Sequence, residues 1–187
     1  MNVVIFGPPG AGKGTQAHLI VKKFNLFQVS TGDLLRDEVK NKTSIGKVIK
    51  NIISKGDFAT DEIVNDLIKK VIFDPQKKNK LIFDGYPRSL AQAKNLDHLL
   101  NQSNQKINFI FFLNVNKEKI IKRIEKRKII ENRADDNLTT ILKRYDTYME
   151  TTKPVLEFYS KKTNFHEIDG GENIEEISSK IEQILLV

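Results

Sequence analysis

Apolar residues along the chain alternate between two spacings. The run at 3–6 (VVIF) is uninterrupted and β-branched, as a parallel strand buried on both faces is. Shorter or looser runs at 27–29, 80–83, 109–113 and 164–168 give four more strand positions. Between them the spacing changes. Ala17, Ile20, Val21 and Phe24 recur at helical intervals. Similar patterns predict helices over 13–24, 31–40, 45–54, 61–72, 90–101, 117–126, 138–159 and 174–185, with Pro154 as the place for a break. Strands that alternate with helices predict an α/β fold: a three-layer αβα sandwich around a central five-stranded parallel sheet. Two segments depart from the rhythm. Helical pattern runs through 31–54 with no strand between and stops at Lys55-Gly56-Asp57. It is too short to hold a core alone and predicts a helical flap hinged on the sheet. Residues 127–137 (RKIIENRADDN) read as a short polar loop between two helices.

The strand at 3–6 leads directly into GPPGAGKGTQ, residues 7–16, which holds four of the chain's ten glycines. Glycine reaches positive φ at little cost and lets backbone N–H groups converge on an anion. A strand, a Gly-rich turn and a helix N-terminus make a phosphate cradle. Lys13 is placed to reach β- and γ-phosphates. The general P-loop pattern has Ser or Thr directly after this lysine; here Gly14 follows, then Thr15. The bland alternative, a ligand-free β–α turn, does not need G-x-x-x-x-G-K-G-T after a strand.

A second strand ends in LIFDGYPR, residues 81–88. In a P-loop site an acid at this place orients Mg²⁺, often through water, so Asp84 is the candidate. A turn or capping role is the alternative. Gly85 frees the backbone at the carboxyl end of the strand, where open α/β sheets bind ligands, and Arg88 follows into the same crevice.

Charge sharpens the picture. The net charge is +7, but only six of 31 basic residues are arginine, and the lysines are scattered among Asn and Ile. That describes a solvated lysine surface, without the aromatic-interleaved basic stripe of a nucleic-acid binder. The arginines (36, 88, 123, 127, 133 and 144) are few enough that each is a candidate phosphate or stacking contact. The chain has no cysteine, which excludes disulfides and a Cys-type zinc site. Met1-Asn2 runs straight into a strand, and no apolar run approaches the roughly 20 residues of a membrane helix. One soluble cytoplasmic domain is expected.

Taken together, GPPGAGKGTQ, STGDLLR, DGYPRSLAQA and NRADD resemble the adenylate kinases, in the short-lid form of that nucleoside monophosphate kinase family. The likeness runs over nearly the whole chain. It implies a P-loop core (1–29, 60–125 and 137–187), a monophosphate-binding flap (30–59) and a short lid (126–136). It implies the reaction Mg²⁺-ATP + AMP ⇌ 2 ADP, with Mg²⁺ as cofactor, no zinc knuckle, ATP, AMP and ADP as its only partners, and a monomer. By the same resemblance Gly10, Ala11, Gly12, Lys13, Gly14 and Thr15 hold the ATP phosphates. Arg123 stacks on the ATP adenine, Arg127 lies in the lid, and Glu172 meets the ATP base through its backbone. Thr31, Arg36, Asp57, Phe58, Ala59, Gly85, Tyr86, Pro87, Arg88 and Gln92 bind AMP, with Arg133 and Arg144 around the transferring phosphoryl. Lys13, Arg88, Arg133 and Arg144 are the catalytic set. Tyr86 stands where Phe is frequent, a change the ring should tolerate. No histidine is required, because an AMP phosphate oxygen is already anionic; His18, His98 and His166 lie outside the motifs. Two other readings remain. A UMP/CMP kinase resembles SAGD rather than STGD at Thr31, and carries Asn where this chain has Ser89. A P-loop switch ATPase leaves Arg36, Arg88 and Gln92 without a role.

Overall fold

The computed structural model describes residues 1–54, 59–131 and 138–186, with side chains for all but 53, 54, 127–131 and 138. Five strands, β1 (Val3–Phe6), β2 (Phe27–Ser30), β3 (Leu81–Asp84), β4 (Phe109–Asn114) and β5 (Phe165–Asp169), form one parallel sheet in the order β2-β3-β1-β4-β5. Successive side chains point to opposite faces of a strand, and here both faces are covered. Val4, Phe6, Phe83 and Ile110 pack with α4 (Asp61–Ile72), α5 (Leu90–Gln102) and α8 (Lys153–Tyr159). Val3, Ile5, Ile82, Phe111 and Leu113 pack on the other face with α1 (Lys13–Phe24), α6 (Lys117–Glu131) and α9 (Ile174–Leu185). Each fully buried side chain of this kind is worth about 1.5–3 kcal/mol of transfer free energy. The remaining helices are α2 (Thr31–Lys40) and α3 (Ser44–Ser54) of the expected flap, and α7 (Leu138–Thr147).

Register sets the site. Ile5 of β1 lies beside Asp84, the last residue of β3, so the glycine loop after β1 and the turn after β3 open on the same sheet edge. Ser30, the last residue of β2, pairs with Asp84 from the other side and delivers α2 to that edge.

The elements match the sequence pattern with three differences. Helix α6 continues to Glu131, so the residues from Arg127 to there are helical rather than loop; RKII contains no Gly or Pro to stop it. The long helix expected over 138–159 is interrupted before Pro154, by a π-helical segment at Tyr148–Thr152. Pro154 sits in the first turn of α8, where its missing N–H costs nothing. A short 3₁₀ turn at Pro75–Lys77, capped by the Asp74 side chain, has no counterpart in the helical periodicity. No helix among the described residues is long and apolar enough to cross a membrane.

Candidate functional site

The glycine loop turns into α1 through Gly12, whose φ of 92° lies in the left-handed region. A β-carbon there would touch nothing, so the backbone conformation alone demands glycine. No side chain caps the N-terminus of α1 and its first turn holds no acid, which leaves the amino-terminal N–H groups for an anion. Lys13 Nζ donates to the carbonyls of Gly7 (2.8 Å) and Pro8 (3.1 Å), holding the ammonium over the loop. Gly10 packs against Ile120 and Ile124 of α6, and Ala11 is buried. Gly14 and Thr15 are exposed on the first turn of α1.

Asp84 closes this loop from the neighbouring strand. A β-carbon on Gly14 would lie 3.4 Å from Asp84 Oδ2, and the same oxygen accepts an amide N–H from Gln28 at 3.2 Å. Among the described residues no group of three His or acidic side chains could hold a metal on its own. One carboxylate beside a phosphate cradle does suit Mg²⁺, which keeps several waters and takes its other ligands from phosphate.

Beyond Asp84 the chain turns through Gly85 (φ 76°) and a cis Tyr86–Pro87 bond to Arg88. The Gly85 carbonyl accepts from Arg88 Nε (2.7 Å) and from Thr31 Oγ1 (2.8 Å). Arg88 is half-buried; desolvation, with Arg144 and Arg36 nearby and against the pull of Asp84, brings its guanidinium down to about 10. It therefore remains fully charged near neutrality. Arg36 pairs with Asp33, three residues back on α2, at 2.5 Å. Thr31 is buried, and the residue that caps α2 is Ser30, whose hydroxyl accepts from Asp33 N at 3.3 Å. Lys13, Gly85, Pro87, Arg88, Arg144 and Tyr148 line a single crevice.

Gln92 departs from the simple expectation of a free amide facing a base. It is 4% exposed and both ends are engaged: Oε1 accepts from Arg88 N (2.7 Å), and Nε2 donates to Asp61 Oδ1 (2.6 Å). Tyr86 is buried and its hydroxyl is not idle either. It contacts Asn65 Oδ1 (2.8 Å), the Gln92 carbonyl (3.3 Å) and Asn95 Nδ2 (3.2 Å), and burial raises its pKa to about 12. Arg123 bridges the glycine loop and the segment after β5: one η nitrogen reaches the Ala11 carbonyl and the other the Glu172 carbonyl, both at 3.3 Å. The Glu172 carboxylate pairs with Lys180 instead. Ala59 is buried in the hydrophobic core. Asp57, Phe58, Arg133 and the Arg127 side chain lie outside the described residues.

Sequence reasoning missed two residues of this crevice, Thr152 and Tyr148, and one that holds Gln92, Asp61. Thr152, in the π segment, donates to the Arg88 carbonyl at 3.1 Å; Tyr148 lines the crevice; Asp61 holds Gln92. None sits in a motif. The signal that could have found Asp61 is an acid at the start of the helix that leaves the flap.

A phosphate cradle and an opposing cluster of arginines on one edge of a parallel sheet define a P-loop protein built to handle two phosphate-bearing ligands. Comparison with known proteins narrows this. The chain matches the adenylate kinase family over residues 5–164. It is 50% identical over 213 aligned residues to a protein named adenylate kinase from Pelagibacter ubique, with all of both chains covered. A Parabacteroides distasonis adenylate kinase is 41% identical, covering 98% of this chain and 96% of its own. One from Archaeoglobus fulgidus is 35% identical, covering 99% and 98%. With matches of this extent, the chain belongs to the adenylate kinase family.

Proposed function

We propose that this chain catalyses reversible phosphoryl transfer from ATP to AMP, giving two ADP, with Mg²⁺ as cofactor. The observation that carries the reading is the shared crevice: the loop lysine, Lys13, and two arginines from separate elements, Arg88 and Arg144, converge there.

In the proposed mechanism Gly10 to Thr15 hold the ATP phosphates through loop N–H groups and Lys13, while Arg123 and the Glu172 backbone border the ATP base. Thr31, Arg36, the backbone at 57–59, Gly85 to Arg88 and Gln92 form the AMP side. An AMP phosphate oxygen attacks the γ-phosphorus, and the bond to the β–γ bridging oxygen breaks with its electrons leaving on ADP. No proton moves, so no general base is needed. The protein aligns the two phosphates and neutralises charge that spreads over the transferring group. Lys13, Arg88 and Arg144 supply that charge, joined by Arg127 and Arg133 on the strength of the resemblance. Asp84 would hold Mg²⁺ beside the glycine loop, and the ion would supply further neutralisation of the phosphate charge. Residues 30–59 and 126–136 act as flap and lid, closing to keep water from competing as acceptor. The reading extends to a cytoplasmic monomer that balances adenine nucleotides.

A coupled assay with Mg-ATP and each of AMP, CMP, UMP and GMP tests it. The expected kcat/KM for AMP exceeds the others by about 10² or more. Equal or higher values for CMP or UMP would make it a pyrimidine nucleotide kinase; ATP consumption without any acceptor would make it a switch ATPase.

A further inference from the structure

The Gln92 amide is held from two sides by groups that each allow only one orientation. The Arg88 N–H can only donate, so it takes Oε1; the Asp61 carboxylate can only accept, so it takes Nε2. Asp61 is itself held. Its second oxygen accepts from the Ser89 hydroxyl at 2.9 Å, and Ser89 Oγ accepts from Gln92 N at 3.1 Å as the cap of α5. Thr60, the residue before Asp61, caps α4 with no side-chain hydrogen bond. Asp61, one of two acids in this first turn, is directed across to α5 rather than back onto its own helix.

We infer that Asp61 is a positioning residue that fixes the donor–acceptor sense of Gln92 and thereby selects a 6-amino over a 6-oxo purine monophosphate. The inference rests on the proposal that Gln92 faces the acceptor base. A primary amide has two N–H bonds and two acceptor lone pairs. Asp61 and Arg88 N use one of each. One N–H and one lone pair remain, side by side, with their order fixed. Adenine presents N1 as acceptor beside its N6 amino donor, which complements that order. Hypoxanthine and guanine present N1–H beside O6, the reverse. An amide held on one side only gives up one hydrogen bond when it turns over to accept the reversed edge; held on both sides it gives up two, one of them to a charged group. The carboxylate makes the stronger of the two bonds, since hydrogen bonds to a charged group are roughly twice as strong as neutral ones.

The experiment compares kcat/KM for AMP and for inosine monophosphate, with ATP as donor, in the parent and four variants. Asp61→Ala should lower the AMP-to-IMP ratio about tenfold and raise the KM for AMP, with the KM for ATP within about twofold of the parent. Asp61→Asn keeps an acceptor for Gln92 Nε2 and should restore most of the ratio. Ser89→Ala removes the cap and the second partner of Asp61 but not the Gln92 contact; it should lower thermal stability and leave the ratio near the parent's. Gln92→Ala should abolish the discrimination. An unchanged ratio in Asp61→Ala beside a collapsed ratio in Gln92→Ala overturns the role of Asp61 and leaves the base contact standing. Equal losses in Asp61→Ala and Ser89→Ala reduce Asp61 to a structural part and overturn the inference too. An unchanged ratio in Gln92→Ala removes the base contact itself, and the inference with it.

Discussion

Arg88 and Thr31 meet on one acceptor: the Gly85 carbonyl oxygen takes a hydrogen bond from Arg88 Nε at 2.7 Å and another from Thr31 Oγ1 at 2.8 Å. Arg88 and the start of α2 are thus tied to the same peptide. Gly85 has φ 76°, and a β-carbon on it would lie 2.9 Å from Arg88 Nη2 and 3.1 Å from Thr31 Oγ1. Gly85→Ala is therefore expected to cost about 1–2 kcal/mol from backbone conformation. It should also lower kcat/KM for AMP at least tenfold by displacing Arg88. Thermal unfolding and acceptor kinetics on the same sample check both; full activity would show that Arg88 does not depend on this peptide.

Lys13→Met removes the ammonium that sits over the loop on the Gly7 and Pro8 carbonyls. The loss of a preorganised cation at a site of developing charge typically costs 10²–10³ or more in rate. Turnover should fall by about that factor while the fold, read by circular dichroism, is unchanged. Near-parent turnover is incompatible with the phosphate-loop assignment.

Arg88→Lys keeps the charge but loses the planar fork, and a rate loss of about 10²–10⁴ is expected. The variant should also acquire a pH dependence. The site brings an arginine from 12.5 to about 10, chiefly by desolvation. The same burial should hold a lysine there below its ordinary ~10.4. The charged form is the active one, so residual activity should fall as pH rises through the range below that value. The parent, whose arginine holds its proton to about 10, should fall only at higher pH. A flat profile in the variant contradicts the burial of this site.

Tyr86→Phe tests the hydroxyl that contacts Asn65, Asn95 and the Gln92 carbonyl. The ring alone fits, but its removal leaves buried polar groups short of a partner, at a cost of about 1–3 kcal/mol. Denaturant titration should show that loss at an unchanged slope. A neutral result would mean that the asparagines find water instead.

Closure is read from free and inhibitor-bound structures, using an inhibitor that joins two adenosines through a phosphate chain. Arg36 is paired with Asp33 on α2, so a phosphate that recruits it must take it from that carboxylate. Helices α2 and α3 should shift toward the core by more than about 2 Å. A smaller displacement contradicts the flap.

What the sequence made legible is what local chemistry fixes. The glycine loop, the strand ending in Asp84 and the helix bearing Arg88's neighbours are set by short-range rules of turn, period and cap, and the structure has them in the expected order. What it concealed depends on contacts between distant residues. Gln92 reads as one turn past Arg88, but its burial and its partner Asp61, 31 residues earlier, come from α4 packing on α5. Ser30 caps α2, while the hydroxyl of Thr31 bonds the Gly85 carbonyl, 54 residues on in the turn after the neighbouring strand. The π segment has no periodic signature; its Thr152 meets the Arg88 carbonyl, a contact 64 residues away in sequence. Pro154, the local breaker, was the visible signal and marks only the turn after the interruption.

That last contact bears on synthesis. The Arg88 carbonyl waits for Thr152, and the loop of Gly85 needs Thr31 already folded beneath it. Domains fold as units while the chain emerges, and contacts of long sequence separation close late. A growing chain that has released its glycine loop and its DGYPR turn still lacks the hydroxyl that braces Arg88 until residue 152 has left the ribosome. A chain that stops between residues 88 and 152 would carry the glycine loop and the DGYPR turn without this contact, so the crevice is completed only by nearly the whole chain.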